Sequence, residues 1–261
     1  MPIDAVIIKP IIAGAALSII AGYLGCIVVW KKYSFFSDTL SHSLIPGLAI
    51  GFMLNISIFW AAFFTAIFLA LSISWVRTKM RVPIDTVMVI CSQVMFSVGV
   101  IMMHKSDEDG HHLMHMLMGD IESISYRDIS YIVVMSIIIL PLIIINWKKI
   151  VLMCVNEEIA AGEGVKVNFL NCVIIVLIAI FTAFALKTVG IILASSLLLI
   201  PVATAATSAK NPYTMPIHST IIGCSGIIAG IITAYYLHIP VSPAIVIALA
   251  TILLLKSLIK V

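Results

Sequence analysis

Pro10-Ile-Ile-Ala-Gly-Ala-Ala-Leu-Ser-Ile-Ile-Ala-Gly-Tyr-Leu-Gly-Cys-Ile-Val-Val-Trp30 decides the fold. It carries no charge and is interrupted only by small residues. A hydrocarbon core of ~30 Å is crossed by about 20 apolar residues in a helix. The stretch therefore has the length of a membrane span. It is too long for the apolar part of a signal peptide, and no small-x-small cleavage site closes it. The surrounding chain repeats this composition: of 261 residues, 62% are apolar and 10% charged. Average soluble domains are ~45–50% apolar and ~25% charged. A water-soluble globule of this size cannot bury so much apolar surface. Soluble enzymes and disordered chains are excluded.

Further apolar stretches follow at 40–54, 56–76, 84–103, 129–147, 169–186, 189–207, 217–237 and 241–255. They predict an all-α polytopic membrane protein with about nine transmembrane helices, or eight if the second does not cross. That second stretch is short and contains His42, Pro46 and Gly47. Lys and Arg accumulate on the cytoplasmic side of membrane proteins. With the N-terminus outside, nine spans put Lys31, Lys32, Arg77, Lys79, Arg81, Lys148, Lys149, Lys166, Lys210, Lys256 and Lys260 inside. Only Lys9, Lys105, Arg127 and Lys187 fall outside, so the expected orientation is N-out, C-in. The whole of 1–261 reads as one transmembrane domain, with an outside loop at about 104–128 and an inside segment at about 148–168.

Several function classes drop out. A formal net charge of +3 without a basic run excludes nucleic-acid binding. Cys26, Cys91, Cys154, Cys172 and Cys224 are scattered and form no CxxC pair, so they read as small hydrophobes. There is no GxxxxGK[ST] string, so nucleotide hydrolysis would belong to another chain.

The candidate chemistry starts at Asp38 and His42, four residues apart in Phe36-Ser-Asp-Thr-Leu-Ser-His42. Helical residues at that spacing share a face. A carboxylate and an imidazole so placed can hold one divalent cation between them, given further donors. Ionisable groups in membrane segments are costly and usually face protein or a water path. The alternative is a helix-capping Asp38 and a hydrogen-bonded His42. In the outside loop, His111, His112 and His115 lie with His104 among Asp107, Glu108, Asp109, Asp120 and Glu122. Imidazoles and carboxylates together suit a loosely held cation at a pathway entrance, although a merely solvated loop has the same composition. His112 stands where HExxH needs glutamate, which removes the signature of a membrane metalloprotease. Asp120 follows Gly119 where the loop turns back, and reads either as a third pathway carboxylate or as a cap.

The inside segment contains Glu157, Glu158, Ala160, Ala161, Gly162 and Gly164. A short helix with small residues on one face can be gripped by another protein. Gly223, Gly226 and Gly230 allow close helix approach. Ser195 and Ser196 are candidates to line a pore, and Pro201 is expected to kink its helix. His218 and His238 sit near span ends and read as interfacial.

Particular strings carry a family resemblance. They are Val29-Trp-Lys-Lys-Tyr-Ser-Phe-Phe-Ser-Asp-Thr-Leu-Ser-His42, Ile84-Asp-Thr86, Leu117-Met-Gly-Asp-Ile121 and Gly164-Val-Lys-Val167. Two more are Val189-Gly-Ile-Ile-Leu-Ala-Ser-Ser-Leu-Leu-Leu-Ile-Pro-Val-Ala-Thr-Ala205 and Pro243-Ala-Ile-Val. Over nearly its whole length the chain resembles the membrane subunit of bacterial zinc/manganese ABC importers, the ABC-3 family. The resemblance implies a homodimeric permease of the vitamin-B12-importer (type II) architecture in the cytoplasmic membrane. It implies separate cytoplasmic ATP-binding subunits on coupling helices and an extracytoplasmic metal-binding protein. Asp38 and His42 then match the intramembrane metal pair, Asp120 falls in the Gly-Asp string, and 157–165 matches the ATPase-contacting region. The His111–His115 run has no place in the family pattern.

The function expected is ATP-driven import of Zn2+, as substrate and not as a resident cofactor. Import of Mn2+ or Fe2+, or proton-coupled secondary transport, is the alternative. Protonating His42, near an ordinary pKa of ~6.5, competes with metal, so transport should weaken in acid.

Overall fold

In the computed structural model of the chain, the described residues are 3–33, 35, 39, 42–54, 56–79, 84–106, 124–209 and 211–259. The described helices are α1 (Ile3–Trp30), α2 (Ile45–Met53), α3 (Ile58–Lys79), α4 (Ile84–Ser106), α5 (Tyr126–Ile145), α6 (Trp147–Val155), α7 (Glu157–Gly162), α8 (Val167–Ala206), α9 (Met215–Leu237) and α10 (Val241–Ile259). No strand occurs among the described residues. Among the described residues, five helical segments are long and apolar enough to cross a membrane: Ile8–Trp30, Tyr126–Ile145, Val167–Leu186, Met215–Leu237 and Val241–Leu258. Trp60–Val76, Thr86–Met102 and Ile192–Ala206 are shorter apolar helices. The chain is an all-helical, multi-pass membrane protein.

The pattern along α5 shows why these helices need lipid. Ile132, Met135, Ile139 and Ile143 are buried at spacings of three and four, which is one helix face. The opposite face, with Val134, Ile137, Ile138 and Ile145, is equally apolar and exposed. Ser125 caps α5: its Oγ accepts from the Arg127 N–H, and the Asp128 carboxylate accepts from the Ser125 N–H at 3.1 Å.

α1 and α8 form the centre. α1 packs against α9, α8 and α5, while α8 also meets α3, α10 and α9; α2 lies between α3 and α4. Without a hydrophobic drive between helices in lipid, close backbone packing holds such a bundle together. A Cβ on Gly25 of α1 would meet the Leu198 carbonyl of α8, and one on Gly230 of α9 would meet the Ile245 backbone of α10. The glycines therefore set the interhelical distances.

Four features refine the sequence expectation. The stretches 169–186 and 189–207 are the two helical segments of α8, divided by a kink where Gly190 leaves helical geometry (φ 81°, ψ 173°). That conformation is accessible to glycine, which lacks a Cβ. Thr188 Oγ1 donates to the Phe184 and Ala185 carbonyls, and Ser242 Oγ of α10 donates to the Val189 carbonyl at 2.9 Å. Backbone polar groups at a break in hydrocarbon need such partners. Second, helical φ/ψ continue through Pro201, whose ring lies 3.6 Å from where a Gly223 Cβ would stand. The departure from helix is at Gly190, not at the proline. Third, the described part of the short second stretch holds α2, a helix of 9 residues, with helical backbone also at His42 and Ser43 just before it. Fourth, the inside segment opens with α6, which buries Trp147, Ile150 and Met153 and exposes Lys148 and Lys149.

Candidate ion pathway and coupling surface

α1 ends in a tight C-terminal turn. The Tyr33 N–H donates to the Val28 carbonyl at 2.8 Å and the Lys32 N–H to the Val29 carbonyl at 3.1 Å. Lys32 takes the left-handed conformation this motif requires, φ 58°, without being glycine. Such a residue carries a strain of roughly 1–2 kcal/mol. The turn launches the chain into the Asp38/His42 segment.

That segment runs alongside α4. Thr39 Oγ1 donates to the Met88 carbonyl at 3.2 Å. The half-buried His42 ring meets Phe96 edge to face, with centroids 5.3 Å apart at 82°. A Cβ on Gly99 would stand 2.7 Å from Ile45 and 2.9 Å from Pro46. The contacts advance in the same order along both elements, so the two run parallel. Phe96 lies near the middle of the apolar helix Thr86–Met102, so His42 packs midway along that helix. Asp38, His111, His112, His115 and Asp120 lie outside the described residues. Among the described residues, no three His, Cys, Asp or Glu side chains cluster as a metal site. His218 stands in the first turn of α9, and His238 caps its far end with φ 52°. Ser195 and Ser196 return hydrogen bonds to the Ile192 carbonyl at 3.3 Å and 2.7 Å.

The other candidate region is ordered. Asn156 caps α7 by accepting from the N–H groups of Glu158 and Ile159. The helix closes with the Val165 N–H on the Ala160 carbonyl and the Gly164 N–H on that of Ala161, Gly164 having φ 79°. Ala160 is fully buried, whereas Glu158, Ile159, Ala161, Gly162 and Gly164 are exposed. α7 thus presents one small-residue and acidic face outward. Glu157 turns inward: Lys31 Nζ donates to its Oε1 at 2.6 Å and Asn171 Nδ2 donates to the same oxygen at 3.3 Å. Lys31 and Asn171 were not legible as site residues, although an Asn in the apolar run of α8 is a signal in retrospect. The Lys31 side chain is 7% exposed and that of Glu157 42%. The two ends of this bond should respond unequally. Glu157→Ala strands a buried ammonium and is expected to lower stability by about 1–3 kcal/mol. Lys31→Met keeps the apolar stem and leaves a carboxylate that water reaches, so its loss should be the smaller. Thermal unfolding of the detergent-solubilised protein checks this; equal losses contradict it.

An open cavity of about 370 Å3 between Trp30, Val151, Cys154, Asn211 and Met215 lies beside this surface. Burial pushes the Cys154 thiol up to about 11, against a smaller lowering by Lys31. A thiol so shifted stays protonated at neutral pH and is a poor metal ligand. Trp147 packs on Tyr23 at 5.4 Å and on Trp30 at 5.6 Å, an aromatic cluster of the kind that marks a membrane interface. At the other end of α1, Lys9 sits 4.2 Å over the Tyr126 ring.

What the fold and site define is a multi-pass helical membrane bundle with an imidazole packed midway along an apolar helix and a short helix facing outward. The chain belongs to the ABC 3 transport family, whose model matches residues 4–260. It is 33% identical over 95% of its length to the high-affinity zinc uptake system membrane protein ZnuB of Buchnera aphidicola subsp. Schizaphis graminum, covering 96% of that protein. It is 29% identical over 94% of its length to the manganese transport system membrane protein MntC of Listeria monocytogenes, covering 87% of it. Among solved structures, PsaBC from Streptococcus pneumoniae in complex with Fab matches with a TM-score of 0.83 and 26% identity, over 95% of this chain and 89% of that one.

Proposed function

We propose that the chain is the transmembrane subunit of an ATP-driven importer of divalent metal, with Zn2+ as substrate. The translocation path runs between two copies of the chain, and ATP is hydrolysed by separate cytoplasmic subunits. The observation that carries this reading is the packing of the half-buried His42 ring on Phe96, midway along an apolar helix, in a chain of a transport family. An ionisable ring in a membrane segment is costly unless it serves a pathway.

In this mechanism an extracytoplasmic metal-binding protein delivers the ion to the outer mouth. Asp120 and the His111, His112 and His115 loop hold it loosely there. Asp38 and His42 from both copies then receive it. Each copy offers too few donors to close a tetrahedral zinc shell, so the ion is held and released instead of trapped. The outward face of α7 receives the ATPase, and its closure tilts the helices so that access changes sides. Nine spans with the N-terminus outside accommodate this arrangement within one permease domain over 1–261 in the cytoplasmic membrane. Lys9 with Tyr126 and Lys31 with Glu157 mark opposite ends of α1, in keeping with that orientation.

Zn2+ is preferred over Mn2+ because the higher identity is to a zinc uptake protein and because imidazole suits zinc better than manganese. Reconstitution with its ATPase and delivering protein tests the reading. The expected result is ATP-dependent accumulation of labelled zinc that excess manganese inhibits weakly. Manganese accumulation in preference reassigns the substrate; absence of any ATP-dependent metal uptake overturns the proposal.

A further inference from the structure

α4 carries a polar stripe that the transport reading does not use. Thr86, Gln93 and Ser97 are all exposed. Their spacings of seven and four place them on one side of a helix with 3.6 residues per turn. Met88, Ser92 and Gly99 are buried on the side turned toward the neighbouring segment. Ile90 and Val100 are exposed on the same side as these polar residues, so the face is mixed, while Val94 and Val98 are exposed roughly a quarter turn or more away. Gln93 lies close to the centre of the apolar helix Thr86–Met102, the deepest position available.

Ser97 is at ease in hydrocarbon because its Oγ donates to the Gln93 backbone carbonyl at 2.7 Å. The Gln93 carboxamide has no such outlet, and no hydrogen-bond partner for it is found among the described residues. Leaving an amide bare in an apolar medium costs several kcal/mol, of order 4–8 on an alkane scale. Lipid is therefore the wrong neighbour for this face. Phe96, against which His42 packs, lies on the flank of the same stripe, one turn from Gln93.

We infer that the Thr86–Gln93–Ser97 stripe of α4 lines the water-filled ion path at the level of His42, and that Gln93 hydrogen-bonds the hydration water of the passing divalent cation. This rests on the transport reading, and it adds a group that touches the ion's water shell to the ligands that touch the ion. A carboxamide offers an acceptor and two donors without charge. It can thus stabilise a hydrated dication without binding it tightly enough to stop release.

The test uses the assembled importer in proteoliposomes, with the five native cysteines replaced by alanine and single cysteines introduced by Gln93→Cys, Ser97→Cys and Val94→Cys. The probe is a membrane-impermeant methanethiosulfonate, which reacts with hydrated thiolates. Gln93→Cys and Ser97→Cys should be modified at least about tenfold faster than Val94→Cys, because only a hydrated thiol ionises readily. Zinc should slow the modification at both stripe positions. Rapid modification in an assembly that moves no metal keeps the water-lined stripe while removing the zinc reading. Slow modification at both positions in an assembly that does accumulate zinc overturns the inference and leaves transport standing. Equal rates at all three positions also overturn it.

Discussion

His42→Ala is expected to cut ATP-driven zinc uptake at least about tenfold, since loss of even an indirect partner of a metal ligand typically costs 10–100-fold. The ring is held edge-on to Phe96 midway along an apolar helix, and among the described residues no three His, Cys, Asp or Glu side chains cluster that could take over its role. In the path proposed between two copies, the substitution removes two imidazoles at once. Asp38→Ala should act in the same direction through the carboxylate. His42→Gln keeps hydrogen-bonding capacity without a comparable metal donor, and should behave like alanine if ligation is the role. Uptake of labelled zinc and ATP hydrolysis, measured on the same vesicles, separate a lost ligand from a lost assembly. Wild-type uptake by His42→Ala takes the residue out of the pathway.

Gly25→Ala should produce the largest loss of stability. A methyl group there meets the Leu198 carbonyl oxygen and stands 2.7 Å from Val202. The first obstacle is backbone in the middle of α8 and cannot rotate away. Either α1 and α8 move apart, or the added carbon is forced into a polar atom. Overpacking of a tight interior costs about 1–3 kcal/mol and occasionally more, and the upper end applies where the obstacle is rigid. Gly162→Ala is the comparison, because nothing lies within 4 Å of a Cβ at that position. Its effect should be neutral or slightly stabilising, alanine being favoured over glycine in helices by up to about 1 kcal/mol. Thermal melting of the two purified variants decides the matter; a Gly25→Ala protein as stable as Gly162→Ala shows that α1 and α8 are less tightly apposed.

Span positions were legible because a helix in lipid needs an unbroken apolar run, and α1, α5, α9 and α10 supply one each. The division between 169–186 and 189–207 and the shortness of the second stretch were legible in the same way, but composition alone does not show that Gly190, at positive φ, makes the break. Pro201 looked like the stronger helix breaker, yet backbone φ/ψ stay helical through it. Of the candidate site, His42 and the α7 surface could be named from spacing and small-residue content. Lys31 and Asn171 could not, since their role depends on Glu157, distant in sequence from Lys31. Gln93 was hidden in the same way: one amide among apolar neighbours says little until its exposure is known.

The hydroxyl of Ser242 reaches across to the Val189 carbonyl beside the interruption in α8. The joint is therefore pinned from the adjoining rod and not only from within its own strand. Any tilt of the upper or lower segment about Gly190 must drag α10 along or surrender that bond in oil, where nothing replaces it. α8 and α10 are thereby obliged to travel as one piece at this level.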